Sequence, residues 1–103
     1  MQETQTTVTE ARRQIILYGK PECPLCDEAR EVLEDFAADP DHYAPFDLDE
    51  VDIRRDPAIF AAYRYRIPVV TIDGAVIAEG NMHEGDGADA LSHALARPVG
   101  GVR

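Results

Sequence analysis

Two cysteines three residues apart, Cys23-Pro24-Leu25-Cys26, stand between a short apolar run and an amphipathic stretch. Upstream, Gln14-Ile15-Ile16-Leu17-Tyr18 is apolar, β-branched and aromatic, and Gly19-Lys20-Pro21 closes it. That is the pattern of a buried strand and its exit turn. Downstream, Cys26, Ala29, Val32, Leu33, Phe36 and Ala37 recur at helical spacing, with Glu31, Glu34 and Asp35 outside the stripe. Pro24 suits a first helical position, where its missing N–H costs nothing, and Asp27 and Glu28 suit the positive end of the helix. The spacing predicts a helix over about 24–38 with the cysteine pair at its mouth.

The remaining elements follow from the same signals. Asp39-Pro40-Asp41 ends the helix, and a second strand is expected over about 48–53 with Val51 and Ile53 facing the core. Phe46 and Leu48 lie in the opposite alternation phase, which predicts a bend or bulge near Asp49. Asp56-Pro57 starts a short helix over 58–63. Ile67 to Ile72, Asp73-Gly74 and Ala75 to Ala78 form a hairpin with a type I′ turn. A glycine-bounded loop from Gly80 to Gly85 leads to a last helix over about 86–96. The order β-α-β-α-β-β-α predicts an α/β fold: the first two strands pair in parallel across a helical crossover, the last two pair antiparallel, and helices cover both faces. Residues 1–13 are expected as a loosely attached tail, 14–97 as the domain and 98–103 as a C-terminal tail.

At 103 residues the chain supports one core and no second module. Its net charge of −10 is concentrated: thirteen acids and three bases lie between Glu22 and Asp56, and the rest of the chain is neutral. Nucleic acid and anionic membranes need a basic face, so neither is an expected partner. No apolar run reaches the roughly 20 residues of a membrane span, and the polar start is not a signal peptide. A cytoplasmic location is expected, with a monomer as the default.

A thiolate at a helix N-terminus is stabilised by the dipole and by free backbone N–H groups. Cys23 is therefore expected to be the exposed nucleophile, with its pKa lowered. Cys26, one turn inside, is expected to be the resolving thiol that attacks the mixed disulfide. Lys20 adds a positive charge, while Glu22, Asp27 and Glu28 oppose it. A zinc site is disfavoured, because His42, His83 and His93 lack ligand spacing and no second CxxC exists. A purely structural cysteine pair stays open. Pro68 by spacing alone reads as an ordinary trans proline at a strand start. Arg64 and Arg66, with Lys20, form either a small cationic rim for an anionic tripeptide or a solvated helix end. Tyr18, Tyr43, Tyr63 and Tyr65 read as core or rim packing.

Leu17-Tyr18-Gly19-Lys20-Pro21-Glu22-Cys23-Pro24-Leu25-Cys26, then Glu50-Val51-Asp52-Ile53, Arg66-Ile67-Pro68-Val69 and the Asp73-Gly74 hairpin, resembles the glutaredoxin family of the thioredoxin superfamily over about 14–96. The resemblance implies a thioredoxin fold, a four-stranded mixed sheet flanked by three helices, with a cis Ile67–Pro68 bond. It implies a dithiol thiol–disulfide oxidoreductase with no bound cofactor, in which Cys23 attacks and Cys26 resolves. Glutathione would be reductant or co-substrate, with disulfide-bearing proteins as partners. Lys20 would face the glutathione carboxylate, with Pro24 and Leu25 beside it. The Ile67 backbone next to Pro68 would bind the substrate by strand-like hydrogen bonds, and Asp86 would stand in for the family's aspartate at the glutathione amino end. Leu25 replaces the tyrosine of typical dithiol members, and the usual Gly-Gly before that aspartate is only approximated. A thioredoxin-like reductant served by a protein reductase, or a redox-sensing or binding module without turnover, is the alternative.

Overall fold

The computed structural model describes residues 12–97. Residues 1–11 and 98–103, where the terminal tails are expected, lie outside the described residues. The elements are β1 (Arg13–Gly19), α1 (Pro24–Ala37), β2 (Phe46–Asp52), α2 (Pro57–Tyr63), β3 (Val69–Ile72), β4 (Ala75–Glu79) and α3 (Gly87–Leu95), with a 3₁₀ turn over Ile53–Arg55 between β2 and α2. Arg13 thus belongs to the first strand. The sheet order is β2-β1-β3-β4. β1 runs parallel to β2 and antiparallel to β3, and β3 runs antiparallel to β4. This is the four-stranded mixed sheet with three helices of the thioredoxin fold.

Alternation along β1 sorts the two faces. Ile15 and Leu17 point to one side and join Val70 and Ile72 of β3, Ala29, Val32 and Leu33 of α1, and Leu91 and Leu95 of α3 in one buried cluster. Ile16 and Tyr18 point to the other side, where the Tyr18 ring meets Tyr63 of α2 at 5.0 Å between centroids. Helices therefore cover both faces. Among the described residues no helix is long and apolar enough to cross a membrane.

The expected bulge near Asp49 does not form. β2 pairs with β1 without interruption from Arg13↔Phe46 to Gly19↔Asp52. Phe46 and Leu48, not Val51, face the large cluster. Ile53 is fully buried, yet it reaches the interior from the 3₁₀ turn after the strand. Two phases in one segment thus mean a strand followed by a turn. The sheet's one irregularity lies between Val70 and Thr71, where β3 meets β4. β2 is an edge strand, and its exposed Asp47, Asp49 and Glu50 blunt that edge against pairing with another chain.

Asp73 and Gly74 adopt positive φ values of 50° and 89°, as the predicted I′ hairpin requires. Asp73 also accepts from the Gln14 N–H (2.9 Å) and from Arg13 Nε (2.7 Å), which ties the hairpin tip to the start of β1. Those bonds, the Gln14 one foremost, lower its pKa. Asp52 is held at about 2, chiefly by the Arg54 side chain and then by the Arg54 backbone N–H. Gln14 and Arg12 lower Asp47, and Arg66 lowers Glu79.

Each of these groups is more acidic folded than unfolded, so its contribution is complete above the ordinary carboxylate range. It disappears as pH falls through about 4 towards about 2. The melting temperature is expected to be flat at mildly acidic pH and to fall below pH 4; a flat profile down to pH 2 would contradict these pairings. Leu33 is wholly buried between α1 and the sheet. Leu33→Ala is expected to cost about 2–5 kcal/mol in urea denaturation, and a loss well under 1 kcal/mol would contradict that packing.

Candidate active site

After Gly19 the chain leaves β1 and turns through Lys20, Pro21 and Glu22. Glu22 adopts φ 61°, a left-handed conformation that a non-glycine residue seldom takes. The turn delivers Cys23 in extended conformation (φ −120°, ψ 100°) as the N-cap of α1, and Pro24 follows in the first turn. Cys23 Sγ accepts the Cys26 N–H at 3.2 Å, and its carbonyl accepts the Asp27 N–H at 3.0 Å. Sulfur thus takes the capping role that Ser or Asp fills in most helices.

The two cysteines form a disulfide with Cα atoms 5.2 Å apart. Cys26 is 1% exposed, whereas Cys23 is half-buried, less open than expected but still the sulfur nearer solvent. The two cysteines therefore differ in access to solvent. In the reduced protein, the N–H of Cys26 and the dipole of a 14-residue helix would favour a thiolate on Cys23.

Sequence reasoning missed how closely β1 approaches the pair. A Cβ at Gly19 would sit 2.9 Å from Cys26 Sγ. The buried sulfur therefore lies directly against the strand end, and only glycine leaves room for it. The available signal was a glycine that ends a buried strand four residues before the first cysteine.

Below the pair lies a cleft of about 230 Å³ between α1 and the ends of β1 and β2, lined by Gly19, Lys20, Cys26, Arg30 and Glu50 among others. Arg30 Nε donates to both Glu50 carboxylate oxygens at 2.9 Å, and its Nη1 donates to Asp27 at 3.0 Å. The Glu50 bond first, then the Asp27 bond, raises the Arg30 pKa. Asp27, expected to oppose a Cys23 thiolate, has its charge engaged by a cation one turn along the helix. Glu28 is half-buried, with one carboxylate oxygen buried and unpartnered.

Lys20 is exposed at the mouth of this cleft, Pro24 is exposed and Leu25 is half-buried. The Ile67–Pro68 bond is cis, as the family resemblance implied and the spacing alone did not. Pro68 is buried; the next residue, Val69, pairs with Tyr18, which sets the proline at the same end of the sheet as the cysteines. The Pro68 carbonyl accepts from Gly80 N–H at 2.8 Å. The Ile67 N–H donates to Tyr63 at 3.1 Å, so among the described residues its carbonyl alone is free for strand-like pairing.

Asp86 is the N-cap of α3, and its carboxylate makes no capping bond. In the loop that precedes it, Asn81 Oδ1 accepts from the His83 and Glu84 N–H groups. Of the arginines weighed as a rim, Arg66 is clamped by Glu79. Among the described residues no group of three or more His, Cys, Asp or Glu is arranged to hold a metal ion.

Residues 14–95 match a glutaredoxin-like domain family (DUF836). Among solved structures, the chain is similar to the thioredoxin-like protein BC3987, crystallised as a point mutant. Identity is 28%, covering 68% of this chain and 86% of that one, with a TM-score of 0.48.

Because the strand end abuts Cys26 Sγ, Gly19→Ala is expected to keep the far-UV circular dichroism of the fold. The same change is expected to slow closure of the Cys23–Cys26 disulfide by about tenfold or more in a thiol-exchange time course. Closure at the wild-type rate would contradict the close approach.

Proposed function

The chain belongs to the glutaredoxin-like domain family, and on that premise we propose that it is a dithiol thiol–disulfide oxidoreductase. One observation carries the reading: a disulfide joins a helix-capping, more accessible cysteine to a buried cysteine one turn inside. In the reduced enzyme the Cys23 thiolate attacks one sulfur of a substrate disulfide or glutathione mixed disulfide. A Cys23–substrate bond forms, and the other substrate sulfur leaves and takes up a proton. Cys26 then loses its proton and attacks Cys23 Sγ, releasing the second substrate sulfur as a thiol. Two electrons pass to the substrate, and the Cys23–Cys26 disulfide remains.

Glutathione restores the dithiol by the reverse exchange, with Lys20 facing its carboxylate and the Ile67 carbonyl beside Pro68 aligning its backbone. Such a cycle suits a reducing compartment such as the cytoplasm. Leu25 instead of a tyrosine, with the family's Gly-Gly before the aspartate only approximated, favours a second reading in which a protein reductase supplies the electrons.

Reduction of a glutathione mixed disulfide by the wild type, Cys23→Ser and Cys26→Ser tests both. Cys23→Ser is expected to lose activity by at least 10³-fold, since no other described thiol can replace the nucleophile. Cys26→Ser is expected to keep turnover with the mixed disulfide and to lose reduction of protein disulfides. Activity in Cys23→Ser would overturn the assignment, whereas an inactive but thiol-competent wild type would favour the protein reductase.

A further inference from the structure

Two sets stand out among the described cations. Arg12, Arg13, Arg30, Arg54 and Arg66 each form ion pairs with carboxylates of the chain. Lys20, Arg55 and Arg64 form no ion pair among the described residues, although the chain carries twenty acids. All three belong to the end of the sheet that carries the cysteines. Lys20 follows the last residue of β1, and Arg55 closes the 3₁₀ turn after β2. Arg64 caps the C-terminus of α2, four residues before Pro68. The register ties these ends together, since Gly19 pairs with Asp52 and Tyr18 with Val69. Arg55 and Arg64 flank the two ends of α2, a rise of about 10 Å for seven helical residues. The Tyr18–Tyr63 ring contact holds that helix against β1.

Arg64 is held in place without being neutralised. Its guanidinium lies 4.6 Å from the Tyr65 ring centroid and 5.2 Å from that of Phe60, and Nη2 donates to the Tyr65 hydroxyl at 2.6 Å. Tyr65 itself is 84% exposed. Aromatic faces orient an arginine and leave its charge available, so an incoming anion meets a preorganised partner. Two of the nearby acids are already engaged: Asp52 is paired with Arg54, and Asp56 caps α2 by accepting from Ala58 and Ile59 N–H. Glu22, in the loop before Cys23, acts on Arg54.

We propose that the protein's substrate is a protein disulfide whose cysteine is flanked by carboxylates, selected by Lys20, Arg55 and Arg64. The proposal rests on the disulfide exchange above and names the substrate class for the same site. At physiological salt, contacts within a Debye length of about 8 Å decide the choice, and there the three cations act on a bound substrate more directly than charges farther along the chain. Exposed charge pairs are individually weak, and three acting together would give a preference of about tenfold.

The test uses pre-reduced protein and three disulfide-linked peptides of equal length, with Asp, Lys or Ala beside the cysteine, at about 0.15 M and about 1 M salt. The expected result is that the Asp peptide is reduced about tenfold faster than the Lys peptide at about 0.15 M salt, with the ratio shrinking at about 1 M. In the double variant Arg55→Glu/Arg64→Glu that ratio falls to about one or inverts, and Arg55→Gln/Arg64→Gln gives an intermediate ratio. Equal rates for the three peptides, or a preference unchanged in both variants, would overturn the acidic-substrate proposal alone. Failure to reduce any peptide, the Ala one included, would overturn it together with the oxidoreductase reading.

Discussion

The hydrogen bond from the Cys26 N–H to Cys23 Sγ joins the fold to the chemistry. A helix start leaves backbone donors unsatisfied, and here a sulfur takes one of them. That requires a strand to end where the helix begins, a loop that turns within three residues, and a proline that opens the helix without needing a donor of its own. β1, the left-handed Glu22 and Pro24 meet those requirements in turn. The packing of α1 through Ala29, Val32 and Leu33 fixes the helix axis, and so the direction of the dipole at the cap. Cys26 is buried against the end of β1 at Gly19, which leaves Cys23 as the more accessible cysteine.

Much of this was legible because it is local. The CxxC spacing, the stripe along α1, Asp-Gly in the hairpin and Asp56-Pro57 before α2 each act within a few residues, and each element forms where those signals place it. Contacts distant in sequence were not legible. Asp73 bonds to residues some sixty positions away, and Arg30 is clamped by Glu50 on the neighbouring strand. β2 misled for a related reason. Its alternation was read as one strand with a fault, whereas Ile53 belongs to the turn that follows, and only the parallel register with β1 separates the two. The cis bond before Pro68 was likewise invisible to spacing and came only with the family resemblance.

Charge gives the molecule its polarity. The acids crowd α1 and β2, where they protect a sheet edge and hold three arginines, Arg12, Arg30 and Arg54, in pairs. The cysteine end is different, since three of its cations, Lys20, Arg55 and Arg64, form no ion pair among the described residues and Arg64 is braced by aromatic rings. Uneven pairing of this kind says more about what the site can receive than the overall charge does. It also engages two of the carboxylates around the site, Asp27 with Arg30 and Asp52 with Arg54.

The claim on which the rest depends is that the α1 terminus stabilises a thiolate on Cys23. The most direct measurement is an ultraviolet thiolate titration of the reduced Cys26→Ser variant, in which Cys23 is the only thiol. A transition well below the ordinary cysteine value of about 8.5 is the predicted result. A transition at or above that value would show that the cap does not activate Cys23 and would contradict the account.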